Sequence, residues 1–190
     1  MEEYVMPENE NNQKKSGGGF GKVFLIIIAV VALFVLANSL VVTAENKYTL
    51  VKQFGKIERI VDKAGLSLKI PFIQSTDTLP KQILIYDLAA SDVITMDKKT
   101  MVADSYVLWR INDPQLFVQT LNSQVANAES RINAAVFMSM KNIISSLEQT
   151  EVINGRDGEL TQMIMENLGN SMEQYGIELI TVEIKRLDLP

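Results

Sequence analysis

The sequence predicts an α+β protein: one N-terminal transmembrane helix, then a domain of short strands, then helices and a final strand. Three observations predict this order. A long uncharged apolar run stands near the N-terminus, apolar residues alternate with polar ones from Tyr48 onward, and apolar residues recur every three or four positions after Pro114. The last stretch, "IELITVEIKRL", alternates again and predicts a closing strand.

Residues 23–42 form the predicted membrane helix, because "VFLIIIAVVALFVLANSLVV" contains no charged side chain. At about 1.5 Å per residue such a helix spans about 30 Å, the thickness of a bilayer's hydrocarbon core. A cleavable signal peptide, with small residues at Val42, Thr43 and Ala44, is the alternative. The apolar run is longer than the roughly 7–15 residues of such peptides, so a permanent anchor is favoured.

The orientation of the membrane helix is inferred from the lengths of the segments on either side of it, because their charges do not decide it. Residues 1–22 are rich in Asn, Glu and Lys and predict a disordered tail. Basic residues are nearly balanced across the helix, and long domains cross a membrane largely regardless of charge. We therefore expect a single-pass protein of the cell membrane, with the short tail in the cytoplasm and the domain on the extracytoplasmic side.

Short strands are predicted first. The segments "YTLVKQF" and "IERIVD" flank Gly55, and "GLSLKIPF", "QILIYDL" and "DVITM" follow. In "MVADSYVLWRI" the odd positions, which include Trp109, are mostly apolar and should face a core. Asp104 and Arg110 share the opposite face but stand about 20 Å apart, at about 3.3 Å per residue. They therefore cannot act together on one small substrate.

Helices are predicted after Pro114. The segment "PQLFVQTLN" is a short helix, and apolar residues from Ile132 to Leu147 predict a helix of about twenty residues. A further helix is predicted from Leu160 to Tyr175, with Gly176 as its cap. Methionines recur on both long helices, where core packing is the simpler interpretation and a binding groove is the alternative.

The absence of cysteine and histidine excludes most enzyme classes. Cysteine nucleophiles, Ser-His-Asp sites and Cys- or His-ligated metals are all impossible, so we expect no catalytic residue, no cofactor and no metal. A net charge of −5 and a pI near 4.9 argue against nucleic acid as a partner. A hydrolase that relies on carboxylates alone stays open as an alternative. Its acids would be Asp87, Asp92, Asp97 and Asp104.

Four stretches together resemble the SPFH superfamily of stomatins, prohibitins, flotillins and the bacterial HflK and HflC proteins. They are "VKQFGKIERIVDKAGLSLKIPFI", "DKKTMVADSYVLWRINDPQLF", "AESRINAAVFMSMKNIISSLEQTEVINGRDGEL" and "YGIELITVEIKRLDLP". "DSYVLWRINDP" and "EIKRLDLP" are most similar to the HflC branch, with the HflK branch as the near alternative. Ala64 stands where the family usually has proline, which should loosen that turn without changing the fold.

This resemblance implies a membrane-anchored scaffold without catalytic residues. Such proteins assemble with an HflK-like paralogue into large oligomers and regulate a membrane AAA protease of the FtsH type. The implied SPFH, or prohibitin-homology, domain divides into a membrane-proximal β-rich part at residues 46–96 and an α+β part at residues 97–190. Family members usually continue into a long coiled-coil helix, so we expect this chain to be truncated. A membrane-tethered binding or sensing domain is the alternative function.

The charge is unevenly distributed along the predicted domain. Residues 47–69 carry six basic and two acidic side chains, whereas residues 70–190 carry nine basic and sixteen acidic ones. We hypothesise that the basic segment lies on anionic lipid headgroups. The alternative is that it forms ordinary solvated hairpins, which can have the same charge composition. We also hypothesise that Asp104 and Arg110 set the register between neighbouring subunits. The candidate membrane-surface residues are Lys47, Lys52, Lys56, Arg59, Lys63 and Lys69.

Overall fold

The computed structural model describes residues 19–155 and 158–188. The tail predicted at residues 1–22 falls almost entirely outside the described residues. The chain divides into two compact units, Met1–Leu40 and Val41–Pro190.

The first unit contains the apolar helix α1, Gly19–Ser39. Its Lys22–Ser39 segment is long and apolar enough to cross a membrane, and none of these residues is buried within the protein. The side chains of Asn38 and Ser39 donate to carbonyl groups four residues earlier, so their polar groups are satisfied inside the helix. The helix ends three residues before the end of the predicted membrane segment, because the chain there enters a strand.

The second unit begins with two small sheets. One is antiparallel and has the strand order β3-β2-β5, and the other pairs β1 with β4. The β2–β3 hairpin turns at Phe54 and Gly55, both with positive φ, which suits a tight two-residue connection. The strands are β1 (Leu40–Thr43), β2 (Lys47–Gln53), β3 (Lys56–Val61), β4 (Gly65–Leu68) and β5 (Gln74–Pro80).

A larger four-stranded sheet follows, with the twelve-residue strand β8 in the middle. β9 pairs antiparallel along one edge of β8, while β6 and β7 lie end to end along the other edge. The predicted boundary between residues 96 and 97 therefore runs through the β7–β8 turn of a single sheet. The strands are β6 (Leu84–Asp87), β7 (Ser91–Ile94), β8 (Thr100–Ile111) and β9 (Ile177–Asp188).

The helices cover one face of this sheet. Asp113 caps α2 by accepting hydrogen bonds from two backbone amides, and Pro114 opens the helix as predicted. The helix predicted as far as Tyr175 is interrupted at Gly169, and a short 3₁₀ turn that ends at Gly176 follows. The helices are α2 (Pro114–Leu121), α3 (Val125–Ser145), α4 (Gln149–Asn154), α5 (Glu159–Leu168) and the 3₁₀ turn Glu173–Tyr175.

The core lies between the sheet and these helices. Every odd-numbered position of β8 from Met101 to Ile111 is buried, so the two-residue period identified the inner face correctly. α3 packs against β7, and α5 packs against both α3 and β9. The predicted order of strands, helices and a final strand in an α+β domain is confirmed. The largest fully buried side chains include Trp109, Phe117, Met140, Ile144, Leu160, Ile164 and Ile177.

Candidate functional site: an interaction surface

No metal-binding cluster exists among the described residues. In residues 19–155 and 158–188, no three Asp or Glu side chains stand close enough together to hold a metal ion. An open groove of about 600 Å³ lies between the β2–β3 turn and α2. Its lining mixes polar and apolar side chains and includes no carboxylate. The lining residues are Lys52, Gly55, Lys56, Ile57, Gln115, Val118, Gln119, Asn122 and Ser123.

Two of the four candidate acids are brought together, but a lysine stands between them. The ammonium group of Lys185 contacts Asp104 at 2.8 Å and also binds Asp87. These hydrogen bonds, to Asp104 first and then to Asp87, raise the pKa of Lys185. Each carboxylate is thus held by a cation across the sheet, in the arrangement of a structural ion pair. Asp92 lies exposed on β7, opposite Val102 of β8.

Asp97 occupies the turn between β7 and β8. One carboxylate oxygen accepts hydrogen bonds from the Thr95 hydroxyl at 2.6 Å and from the backbone amide of Gln149 at 3.2 Å. The other oxygen contacts the ammonium group of Lys99 at 3.0 Å. The Thr95 hydrogen bond, followed by the Lys99 hydrogen bond, lowers the pKa of Asp97 to about 2. This carboxylate joins a turn to the start of α4 and remains charged at neutral pH.

Arg110, the second residue proposed to set subunit register, forms an ion pair within the chain. It lies directly opposite Glu178 on β9, and its guanidinium group contacts both carboxylate oxygens. Asp104 is likewise bound to Lys185. Both residues face away from the core, as the sequence predicts, but each already has an opposite charge on the neighbouring strand. Their proposed role between subunits remains a prediction.

The six basic candidates do not form one cluster. Lys47 and Lys63 lie at one end of the three-stranded sheet, whereas Lys56 lies at the other end, beside Gln53. Lys52 forms an ion pair with Asp77 at 2.9 Å, and its hydrogen bond is the main cause of the lowered pKa of Asp77.

The last two basic candidates, Arg59 and Lys69, both lie next to the end of β4. The Arg59 guanidinium donates to the carbonyl oxygen of Leu68, the final residue of that strand. Lys69 follows at once and therefore stands at the start of the β4–β5 turn. Arg59 on β3 thus connects the three-stranded sheet to β4 of the two-stranded sheet, while Lys69 carries a charge next to an exposed turn.

An apolar feature accompanies the basic residues near these turns. Phe54 in the β2–β3 turn is 84% exposed, and Phe72 in the β4–β5 turn is 85% exposed. The two turns lie at the same end of the sheet, because Gln53 pairs with Gln74. We call the exposed apolar residues of these turns the apolar tips. They are Phe54, Ile70, Phe72 and Ile73.

Sequence reasoning missed the apolar tips because it counted these residues as strand. A signal was present: Phe54 precedes Gly55, and Phe72 follows Pro71. Large apolar residues next to glycine or proline tend to lie in turns, where no core is available to cover them.

The methionine stripes are mainly core packing. Met140 and Met172 are buried, and Met163 and Met165 pack against the same core. Met138 on α3 is 57% exposed, so one methionine does face outward.

Comparison with known proteins supports an SPFH assignment. The sequence profile of the SPFH domain / Band 7 family matches residues 41–190. "Protein HflC" of Haemophilus influenzae is 29% identical over 177 residues, covering 88% of this chain and 60% of that protein. "Protein HflC" of Buchnera aphidicola subsp. Acyrthosiphon pisum is 29% identical, with 87% and 60% covered. "Modulator of FtsH protease HflC" of Escherichia coli K12 is 26% identical, with 87% and 64% covered. The chain thus spans about three fifths of the length of these relatives.

Proposed function

Because this chain belongs to the SPFH domain / Band 7 family, we propose that it is a membrane-anchored, non-catalytic scaffold that modulates an AAA protease of the FtsH type. The observation that carries the proposal is its similarity, over 87% of its length, to a protein named as a modulator of FtsH protease. The chemistry of the chain agrees with a scaffold. The sequence contains no histidine or cysteine, and Asp87 and Asp104 are both held in ion pairs with Lys185.

The scaffold is anchored by α1 and assembles into large oligomers with an HflK-like paralogue. The chain passes from α1 into β1 without an intervening loop residue, and β1 pairs with β4. In the proposed orientation the short tail is cytoplasmic and the domain is extracytoplasmic.

The apolar tips and the neighbouring lysines contact lipid. Aromatic side chains suit the interface between headgroups and acyl chains, and each lysine near an anionic surface contributes about 1 kcal/mol. Lys56 follows Phe54 by two residues, and Lys69 precedes Ile70 directly. Of the six basic candidates, these two are best situated for headgroups, while Lys47 and Lys63 at the opposite end provide a matched control.

The scaffold function is tested by co-expressing the full chain with the FtsH-type protease and the HflK-like paralogue of the same organism. We expect large detergent-extracted particles that contain all three proteins, and altered degradation of a membrane substrate. One partner bound in a one-to-one complex would instead favour a tethered sensing domain. Peptide hydrolysis by the purified chain, lost when one aspartate is replaced, would overturn the non-catalytic assignment.

Lipid contact is tested separately in nanodiscs. The chain has no cysteine, so Phe54→Cys introduces a single attachment site for an environment-sensitive dye. We expect this dye, unlike one at Ile94→Cys on β7, to be quenched by lipid-borne quenchers. The effect should be stronger with anionic lipid, and it should weaken in a Lys56→Glu/Lys69→Glu background but not in a Lys47→Glu/Lys63→Glu background. Equal quenching at positions 54 and 94 would exclude the contact.

A further inference from the structure

The groove between the β2–β3 turn and α2 is lined by side-chain donors that the described part of the protein does not use. Gln115 and Gln119 of α2 and Asn122 at its C-terminal cap line the groove. Each of these amide groups carries two N–H donors. None of the three side chains forms a hydrogen bond with another described residue. Their donors are therefore available to a ligand.

Lys52 adds a positive charge that is held in place beside these amides. Its ammonium group donates to Asp77 at 2.9 Å and to the hydroxyl oxygen of Ser123 at 3.4 Å. An ammonium group has three N–H donors, so one remains after these two bonds. The Ser123 oxygen accepts from Lys52, which leaves its own O–H to donate to a ligand. Because these contacts already order the lysine side chain, binding costs little further conformational entropy.

The groove lacks groups that repel an anion. No carboxylate stands among the described residues that line it, although the chain as a whole has a net charge of −5. Asp77 offsets part of the charge of Lys52, but it is not part of the lining. Lys56 supplies a second cation and has no ion-pair partner within residues 19–155 and 158–188. Such a collection of donors and cations suits a ligand whose polar atoms are all acceptors, such as phosphate.

The size and position of the groove fit a phosphate together with the group that carries it. Its volume of about 600 Å³ falls within the range of roughly 300–1,000 Å³ that small-molecule sites occupy. A phosphate monoester has three free oxygens and can accept hydrogen bonds from several directions at once. Gly55 lines the groove, and Phe54 of the apolar tips directly precedes it. Two sources therefore have access: the headgroup of a lipid and a soluble phosphate ester.

We propose that this groove binds a phosphate monoester, with Lys52, Ser123 and the amide groups of α2 as its hydrogen-bond donors. The inference goes beyond the lipid contact proposed above, because the groove recognises one chemical group rather than a charged surface. Only its lipid-borne form rests on that contact. A soluble phosphate ester would bind whether or not the apolar tips reach the bilayer.

Binding is tested with inorganic phosphate and the full chain in a detergent that contains no phosphorus. The phosphorus NMR resonance of free phosphate is narrow, and exchange with a site on a large protein–detergent particle broadens it. We expect broadening that saturates as the phosphate concentration rises. Absence of broadening would overturn the proposal.

Gln119→Glu places a carboxylate of nearly the same shape in the groove. We expect the phosphate affinity to fall about tenfold or more, because the new charge repels the anion and an N–H donor is lost. Thr120→Glu is the matched control, since it adds the same charge at the next residue of α2, which does not line the groove. It should keep the affinity within about twofold of the parent, because solvent and salt screen an exposed charge. Equal losses in the two variants would overturn the proposal, and unchanged Trp109 emission shows that both are folded.

Nanodiscs distinguish the two sources of phosphate. The full chain is placed in phosphatidylcholine discs that also contain either phosphatidic acid, a phosphate monoester, or phosphatidylserine, which is anionic but a diester. If phosphatidic acid suppresses the broadening of inorganic phosphate more than phosphatidylserine does, a lipid headgroup occupies the groove. Equal effects of the two lipids assign the groove to a soluble phosphate. Either result supports the site.

The groove and the proposed lipid contact can fail separately. Quenching of the dye at Phe54→Cys without any phosphate broadening would overturn the groove and leave the lipid contact in place. Broadening without quenching would support the groove as a site for soluble phosphate and would exclude the contact. Neither measurement depends on a protease or a paralogue, so the scaffold function is tested independently of both.

Discussion

Arg110 and Glu178 stand directly opposite each other on β8 and β9, and the guanidinium group contacts the two carboxylate oxygens at 2.8 and 3.1 Å. The Glu178 hydrogen bond raises the pKa of Arg110, so the guanidinium group is charged throughout the physiological range. A two-point contact between adjacent strands fixes register more strongly than a single bond does. The pair therefore stabilises the β8–β9 alignment on which the whole outer face depends.

Charge reversal at Arg110 separates its role within the chain from a role between subunits. Arg110→Glu puts two carboxylates opposite each other and should lower the unfolding temperature modestly, because the pair is partly exposed to water. Adding Glu178→Arg should restore it. Fluorescence of Trp109, the only tryptophan, reports the unfolding. If the double variant regains stability but still assembles wrongly, Arg110 also acts between subunits, and unchanged assembly in both variants would exclude that role.

Gly176 lies where two backbone segments approach closely. Its φ is +71°, and a Cβ atom there would stand 2.2 Å from the carbonyl oxygen of Asp113. Gly176 also accepts hydrogen bonds from the amides of Asn112 and Asp113. Gly176→Ala should therefore lower the free energy of unfolding by about 4 kcal/mol or more, a loss typical of severe steric disruption.

Gly55→Ala is the control for the backbone conformation alone. Gly55 also has positive φ, at +81°, but a methyl group at this position would have no other atom within 4 Å. This change should cost only about 1–2 kcal/mol, the penalty for a left-handed L-residue. Equal losses in denaturant titrations of the two variants would contradict the close approach at Gly176.

The sequence was a good guide to features that depend on local periodicity. The inner face of β8 and the start of α2 at Pro114 were both predicted, since alternation and helix caps depend on neighbouring residues. β5 was missed because "QSTDTLP" has no apolar alternation and is held by backbone pairing to β2. β1 was missed because its apolar residues continue the apolar run of the membrane helix.

The ion pairs of Lys185 and the grouping of the apolar tips were harder to predict, because these contacts join distant parts of the chain. Lys185 meets Asp87 and Asp104 only because a bulge in β9 redirects its side chain. Nothing in the local sequence around Lys185 identifies that bulge. The grouping of Phe54 with Phe72 depends similarly on the pairing of Gln53 with Gln74.

Asp97 should make stability depend on acid pH. Its pKa is about 2 in the folded protein, below its ordinary value of 3.8. A lowered folded-state pKa means that the stabilisation is present above about pH 4 and is lost as the pH falls towards 2. Unfolding temperatures measured from pH 6 to pH 2 should decline through this window. Asp97→Asn should be less stable at pH 6 and should show a shallower decline, whereas an identical slope would mean that other carboxylates are responsible.

Lys185 should be needed to keep Asp87 and Asp104 together. Lys185→Met keeps the length of the side chain but leaves two carboxylates close to one another without the cation between them. The variant should be less stable than the parent at pH 7, and the difference should shrink as the pH falls and one carboxylate takes up a proton.

In the parent, the raised pKa of Lys185 means that its stabilisation is present below about pH 10 and is lost at higher pH. Lys141→Met, a change at an exposed lysine on α3, is the control and should have little effect. A Lys185→Met deficit that stays constant from pH 7 to pH 4 would show that lost packing, rather than repulsion between the two acids, accounts for the change.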